Sequence, residues 1–202
     1  MPMQVITAPT EEPISLSQAK AHLRLDGSDE DDLVNSLIRM ARDLAERHLR
    51  RALCTQTMRL YLDQFPAASP TVQVNVRTSA ISLPRAPVQS ISHVKYIDAD
   101  GVLQTIDPSD YQLDEISEPC VVVPAYGESW PAPRQVINAV QVQFVAGYGG
   151  ASAVPEPIRR GMLLTIANLF ENRQDVITGT IAAALPMSAS TLLAPYRLWR
   201  FI

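Results

Sequence analysis

The chain has 202 residues and a net charge of −4, and a globule of this length buries about 70% of the surface that its unfolded chain exposes. No run of 18 apolar residues is present, so we expect no membrane-spanning helix and no membrane partner. Only residues 151–202 lean basic, which argues against a dedicated sequence-specific DNA-binding protein.

The first third of the chain has helical patterns. Residues 14–23 predict a short helix with a serine as N-cap, and the residues that share one of its faces are Leu16, Ala19 and Leu23. Residues 29–51 predict a longer helix. Ser28 is expected to be its N-cap, with Asp31 in the third position as in a capping box.

The longer helix is patterned in both hydropathy and charge. Its predicted apolar stripe consists of Leu33, Leu37, Ala41, Leu44, Ala45 and His48. Acidic residues crowd its start and arginines crowd its end: Asp29, Glu30, Asp31 and Asp32, then Arg47, Arg50 and Arg51. Both clusters complement the helix dipole.

From residue 55 the hydrophobic period changes to that of strands. The predicted strands lie at residues 58–62, 72–76, 91–96, 102–106, 111–113, 120–123 and 140–145. Asp98-Ala99-Asp100-Gly101 predicts the turn of a hairpin. The set is expected to be mostly antiparallel.

Helical patterns return after Gly150. Pro155-Glu156-Pro157 opens a third helix, whose predicted apolar face consists of Ile158, Met162, Thr165, Ile166, Leu169 and Phe170. A loop at 178–186 and a short helix at 189–193 follow. The sequence therefore predicts an α+β fold, with a mostly antiparallel β-rich domain at 55–150 inserted into a small helical core made of 1–54 and 151–202.

The cysteine, histidine and acidic residues do not have the spacing that is typical of a catalytic or metal site. Cys54 and Cys120 read as buried free thiols, and His22, His48 and His93 lack metal-ligand spacing. Phosphate-binding loops and nucleophile elbows are absent from the sequence, and acidic loops between strands are usually only solvated. We therefore expect no enzyme, no cofactor and no metal.

The C-terminal segment, residues 192–202, departs from the usual polar terminus. It combines apolar, aromatic and arginine side chains at Leu192, Tyr196, Arg197, Leu198, Trp199, Arg200, Phe201 and Ile202. Trp, Tyr and Arg dominate interface hot spots, so the segment is a candidate for docking on a partner. Under that reading its deletion leaves the fold intact. The alternative is that it folds back on its own helical core.

Several stretches together resemble the head–tail connector proteins of tailed bacteriophages, also called adaptor or head-completion proteins, in the longer form with a β insertion. The stretches that carry the resemblance are Glu12 to Arg24, Asp29 to Ile38, Ala41 to Glu46, Leu83 to Val88, Tyr96 to Gly101, Phe144 to Gly149 and Val154 to Arg159. The resemblance rests on the order and spacing of these stretches more than on any single stretch.

The resemblance implies a structural role at the head–tail junction of a virion, reached from the host cytoplasm during assembly. Such proteins form a ring, commonly a dodecamer, below the portal. The ring extends the DNA channel without sequence-specific binding and offers a surface to tail, tail-completion or other neck proteins. Ring contacts join two different patches of the subunit. The candidate charges are Asp29, Glu30, Asp31 and Asp32 against Arg47, Arg50, Arg51, Arg159 and Arg160.

Other readings of the sequence belong to different classes. A virion carbohydrate-binding or glycan-hydrolysing module would use Tyr126, Trp130 and Tyr148 near turns, with Asp114 or Glu115 as an acid. A small terminase subunit would require a basic helix-turn-helix, which the sequence lacks. Another structural position in the virion, such as tail completion, stays open.

Overall fold

A computed structural model of the chain describes residues 2–66, 79–172 and 186–198. The helices are α1 (Leu16–Leu23), α2 (Asp31–Leu49), α3 (Glu156–Glu171) and α4 (Met187–Leu193). The strands are β1 (Met3–Thr7), β2 (Gln56–Leu62), β3 (Ile81–Ser82), β4 (Val88–Ile97), β5 (Leu103–Thr105), β6 (Tyr111–Asp114), β7 (Val121–Pro124) and β8 (Val140–Ala146). The predicted strand at 72–76 and most of the predicted loop at 178–186 lie outside the described residues.

The chain divides into two compact units. The first, here called the β unit, combines Met1–Pro9 with Thr55–Gly147, and the second, the helical unit, combines Thr10–Cys54 with Tyr148–Ile202. The four helices and two antiparallel sheets confirm the predicted α+β fold. Within the described residues, the helices lack the combination of length and hydropathy needed to cross a bilayer.

The larger sheet of the β unit has the strand order β1-β2-β8-β4-β5, with every neighbouring pair antiparallel. The two strands β2 and β8 pair without a register shift and alternate buried and half-buried side chains along their length. That alternation is the period of two that the sequence shows. The smaller sheet has the order β3-β7-β6.

The first strand, β1, was not predicted from the sequence. Residues 1–9 were assigned to the helical core, but Met3–Thr7 pairs with β2 at the edge of the large sheet. Four of its five side chains are exposed, including Val5 and Ile6. An edge strand with both faces open to water carries no alternating hydropathy by which a sequence could reveal it.

The predicted hairpin joins β4 and β5. Asp98 forms its turn, where one carboxylate oxygen accepts hydrogen bonds from the N–H groups of Asp100 and Val102, at 3.0 and 2.9 Å. Gly101 has φ +87°, which L side chains rarely adopt, and a Cβ there would meet the Arg134 guanidinium. The positive φ therefore favours glycine at this turn, whereas the Arg134 side chain could move aside for a larger residue.

The helical unit is built on α2. Its buried apolar residues are Val34, Leu37, Ile38, Ala41, Ala45 and Leu49. The predicted stripe is thus only partly right, since Leu33, Leu44 and His48 are half-buried. Apolar residues cover an arc of the α2 surface that is wider than one stripe. Packing against α3 decides which part of this arc is buried, and the hydrophobic periodicity of α2 does not reveal where α3 packs.

The N-termini of α1 and α2 differ in how they are capped. At α1, the Ser15 hydroxyl accepts from the Gln18 N–H at 3.2 Å, and the Gln18 side chain accepts from the Ser15 N–H at 3.1 Å. At α2, the predicted capping box of Ser28 is wrong. The helix starts at Asp31, whose carboxylate pairs instead with Lys20 at 2.5 Å, and Ser28 contributes only its carbonyl.

Replacing the two serines separates these capping roles. We expect Ser15→Ala to lower the free energy of unfolding by about 0.5–2 kcal/mol, because it removes a hydrogen-bonded N-cap side chain. Ser28→Ala, the matched control, should change it by less than about 0.5 kcal/mol. Urea denaturation followed by circular dichroism measures both. An equal loss in the two variants would contradict the assignment.

Candidate functional site

The described part of the C-terminal segment folds back on the helical unit. Leu193 is fully buried, and it lies so close to Gly161 of α3 that an added Cβ would stand 3.2 Å from its Cγ. Leu192 and Tyr196 are half-buried. The Leu198 side chain is 7% exposed. The alternative that this segment packs on its own chain therefore describes the structure as far as Leu198.

Two hydrogen bonds hold the end of this segment against the C-terminus of α2. The Leu198 N–H donates to the Leu49 carbonyl at 2.9 Å, and the Arg51 Nε–H donates to the Tyr196 carbonyl at 2.6 Å. Arg51 itself is buried, 7% exposed. Arg51 is among the charges predicted to lie in the ring contact, but in the structure it is buried and its Nε–H binds the subunit's own backbone.

The turn that follows α2, residues 49–54, is buried at every position except Arg50. Inside it, the Leu53 N–H donates to a carboxylate oxygen of Glu46 at 2.8 Å, and the Leu53 carbonyl accepts from the Tyr148 N–H at 2.8 Å. Glu46 is only 8% exposed. The chain thus leaves the helical unit after Cys54 and re-enters it beside the same turn.

The start of α2 is acidic. Asp29 and Asp32 are exposed, whereas Glu30 and Asp31 are half-buried, with Asp31 paired to Lys20. Lys20 also donates to the Gly27 carbonyl, so it ties the α1–α2 connection to α2. Asp29 and Asp32 are therefore the acidic side chains most available to a partner.

The end of α2 is basic. Arg47 and Arg50 are exposed there. Arg197 lies at the same end, because its neighbours Tyr196 and Leu198 bind Arg51 and Leu49. Partial burial, and then the charge of Arg197, lower the pKa of His48. Arg47, Arg50 and Arg197 together form what we call the basic end of α2.

The remaining candidate arginines lie elsewhere on the helical unit. Arg159 donates to the Pro13 carbonyl at 3.2 Å and pairs with Glu156 at 3.0 Å, whereas Arg160 is exposed. Arg159 lines a crevice together with Asn35 and Ile38 from the first half of α2. It therefore lies nearer the acidic start of α2 than its basic end.

The acidic loops of the β unit act as turn caps. The Asp107 carboxylate accepts from the Ser109 N–H and hydroxyl, and these bonds lower the pKa of Asp107. The Asp114 carboxylate accepts from the N–H groups of Ile116 and Ser117. A glycosidase acid requires a raised pKa, so Asp107 is unsuited to that role, and Asp114 is engaged by its own loop.

Two of the three aromatic residues of the carbohydrate hypothesis take part in packing within their own units. Trp130 stacks on Phe65, with ring centroids 4.9 Å apart, and donates to the Ser79 carbonyl. Tyr148 packs against the core of the helical unit, whereas Tyr126 is fully exposed in the β unit. Trp130 and Tyr148 are accounted for by packing.

Both cysteines lie in the interior of the protein. Cys54 and Cys120 are buried free cysteines, and burial raises the pKa of Cys54 to about 12, which makes it a poor nucleophile at neutral pH. Across residues 2–66, 79–172 and 186–198, the structure contains no group of three or more His, Cys, Asp or Glu side chains placed to hold a metal ion.

Sequence reasoning missed the part played by Glu46 and Arg51. Glutamate and arginine are almost never buried without a partner. The sequence does not show which backbone carbonyl or N–H group will be that partner. The only available signal was the apolar run Ala52-Leu53-Cys54 directly after the helix. Trp199, Arg200, Phe201 and Ile202 of the docking prediction lie outside the described residues.

Comparisons with known proteins agree with the resemblance noted in the sequence. Residues 13–112 match the family described as "Phage gp6-like head-tail connector protein". No curated protein sequence matches the chain. The resemblance to the connector family is thereby confirmed.

Solved structures of similar fold come from gene transfer agent (GTA) particles. One, from the "Virion of native gene transfer agent (GTA) particle", has a TM-score of 0.78 and 25% identity. Two others, from the "Neck of empty GTA particle computed with C6 symmetry" and the "Neck of native GTA particle computed with C12 symmetry", have TM-scores of 0.76 and 0.72 and 24% identity. Each similarity covers 100% of this chain and 98% of the other.

The burial of Leu193 and Leu198 changes what deletion of residues 192–202 is expected to do. Such a deletion removes core side chains and cannot leave the fold untouched. We expect Leu193→Ala to lower the free energy of unfolding by about 2–5 kcal/mol, because it opens a cavity beside α3. The half-buried neighbour provides the control: Leu192→Ala should cost about 1 kcal/mol or less. Equal losses in chemical denaturation would show that α4 is not part of the core.

Proposed function

Residues 13–112 of the chain belong to the phage gp6-like head-tail connector family, and from this premise we propose that the protein is a structural subunit of a phage-type neck. It assembles as a ring of twelve copies below the portal and presents a surface to tail or tail-completion proteins. The similar folds in GTA necks with sixfold and twelvefold symmetry support this oligomeric form.

The observation that carries the proposal is the charge separation along α2. A closed ring requires two different, complementary patches on the same subunit. The exposed Asp29 and Asp32 flank one end of α2, and the exposed Arg47 and Arg50 flank the other. The 19-residue helix is about 28 Å long, so the two patches can face opposite neighbours.

These charges favour correct pairing more than they contribute affinity. An exposed ion pair contributes about 0.2–1 kcal/mol, and salt screens it. Because salt screens these pairs, we expect the ring to form less readily at high salt, and to form most readily on the portal, which supplies the symmetry.

DNA passes through the proposed ring without being bound in a sequence-specific way. The net charge of −4 provides no excess of cations for stable phosphate contacts. A channel wall of this kind lets the genome slide during ejection.

Attachment to the portal is proposed to use the end of the C-terminal segment. Leu193 and Leu198 are buried in the helical unit, which leaves the half-buried Leu192, Tyr196 and Arg197, together with Trp199 to Ile202, for this role.

Reversing the charges tests the ring contact. Asp29→Lys with Asp32→Lys should abolish the ring, and so should Arg47→Glu with Arg50→Glu, because each places like charges at the contact. The chain that carries all four substitutions should form the ring again, since complementarity returns. Native mass spectrometry at low salt, and the number of copies bound to portal-bearing heads, measure this, with circular dichroism as the folding control. A ring that survives either pair would contradict the proposed contact.

Truncation after Leu198 tests attachment separately from ring formation. The shortened chain should fold and form rings like the full chain, but it should fail to join portal-bearing heads in a sedimentation assay. A matched chain with Met187→Ala, an exposed position on α4, should attach normally. Normal attachment of the truncated chain would refute the docking role of Trp199 to Ile202.

A further inference from the structure

The large sheet of the β unit ends in two strands that have no charged side chain. In the part of the chain that the structure describes, the sheet ends at β1 on one side and at β5 on the other. Edge strands usually carry charged residues or prolines, which prevent a further strand from adding. Neither Met3–Thr7 nor Leu103–Thr105 contains a charged residue or a proline. Both edges therefore lack the usual protection against pairing with another chain.

Each edge also directs backbone groups outward. The Pro2 carbonyl accepts a hydrogen bond from β2 at 3.0 Å, and residues of an antiparallel strand alternate in direction, so Val5 directs its N–H and carbonyl away from β2. The one register shift of β1 lies beyond Val5. At the other edge the Val102 carbonyl accepts from the Asp98 N–H at 2.9 Å, and by the same alternation Leu103 directs its backbone groups away from β4.

Two apolar side chains lie at these margins on the buried face of the sheet. Val5 is opposite the buried Met58 of β2. Val102 is four positions before Ile106, which pairs with the buried Val94, so it lies on the face that carries Val94. Met58 and Val94 share one face, because both are opposite alternate residues of β8. Val5 and Val102 are nevertheless 48% and 54% exposed, since the sheet ends beside each of them.

We propose that the two edges of this sheet join neighbouring copies of the chain, with β5 of one copy added to β1 of the next. In the register that we assign, Val5 is opposite Val102, so the two exposed valines cover each other on the buried face. The same register brings the outward Val5 carbonyl to the outward N–H of Leu103. This rests on the proposed function, because the second copy is the neighbour in the proposed ring.

A neighbouring copy in a ring suits the two edges better than a symmetric dimer would. A ring requires two different, complementary patches on each subunit, and the opposite ends of one sheet meet that requirement. Four antiparallel steps separate β1 from β5, so the two strands run in the same direction. Neighbours in a twelvefold ring differ by a rotation of about 30°. This rotation is close to the twist of about 20–25° between adjacent strands, so the contact is a parallel pair.

The edge contact adds to the charge contact of α2 and does not replace it. The strand β5 has three residues, which is shorter than most strands, and parallel pairs are slightly less stable per residue than antiparallel ones. The contribution of the edge contact is therefore mainly to fix the register between copies.

Cysteine cross-linking between separately substituted chains tests the contact. Chains with Val5→Cys are mixed, before assembly, with chains with Val102→Cys, so that a disulfide between the new cysteines forms only between copies. Directly opposite residues on paired strands lie within the disulfide range of about 4.4–6.8 Å between Cα atoms. We expect covalent dimers on non-reducing gels in this mixture and not in either chain alone. Thr105→Cys, about 10 Å further along β5, is the matched control and should not cross-link to Val5→Cys.

Charged substitutions test the same register by ring formation. Val5→Lys should raise the concentration at which rings form about fivefold, the upper end for the loss of one cross-strand pair. Adding Val102→Glu to this chain should restore ring formation, because the two charges are then opposite each other. Ile137→Lys, an exposed apolar position of the β unit outside both edge strands, should leave it unchanged. Native mass spectrometry measures the rings, with circular dichroism as the folding control.

The outcomes distinguish the edge contact from the ring itself. If the full chain forms rings but the mixture gives no covalent dimers, the edge contact is overturned and the ring stands. Dimers in the Val5→Cys chain alone would mean that two β1 edges pair with each other, which also overturns the proposal. If the full chain forms no ring, alone or on portal-bearing heads, the proposed function fails and the edge contact fails with it.

Discussion

The helical unit depends on the buried turn at residues 49–54. Within six residues this turn receives the C-terminal segment, through Leu49 and Arg51, and the returning chain, through the Leu53 carbonyl and the Tyr148 N–H. The buried carboxylate of Glu46 fixes the turn from inside α2. The polar groups of a buried turn must have hydrogen-bond partners. In this turn the partners come from α2, from the C-terminal segment and from Tyr148.

This arrangement explains how a large β unit can be inserted without opening the helical core. The chain leaves after Cys54 and returns at Tyr148, and the hydrogen bond from Tyr148 to Leu53 joins the two crossing points. When the two ends of an insertion lie close together, the core of the host domain packs in the same way whatever residues are inserted. The helical core can therefore form independently of the residues inserted between Cys54 and Tyr148.

The same turn separates the arginines into two kinds. Arg51 faces inward and contributes to the fold, whereas Arg47 and Arg50, four and one positions away, are exposed and are the arginines of the proposed ring contact. Arg50 ends α2 with φ +59°, and this left-handed residue turns the chain so that the next arginine points into the unit. No pattern of charge in the sequence distinguishes these three residues, because what differs is the backbone carbonyl of Tyr196 brought from 145 positions away.

By itself, the sequence determined what depends on local periodicity and capping. The four helices, the alternation of β2 and β8, the Asp98 hairpin and the opposed charges of α2 follow from side chains a few residues apart, whose effects are the same in any tertiary context. The tertiary structure decided which arc of α2 is buried, that Met3–Thr7 is an edge strand, and that Leu193 and Leu198 belong to the core. These depend on contacts between distant segments, and the free energy of burying a side chain is set by the neighbour that covers it, which the local sequence does not contain.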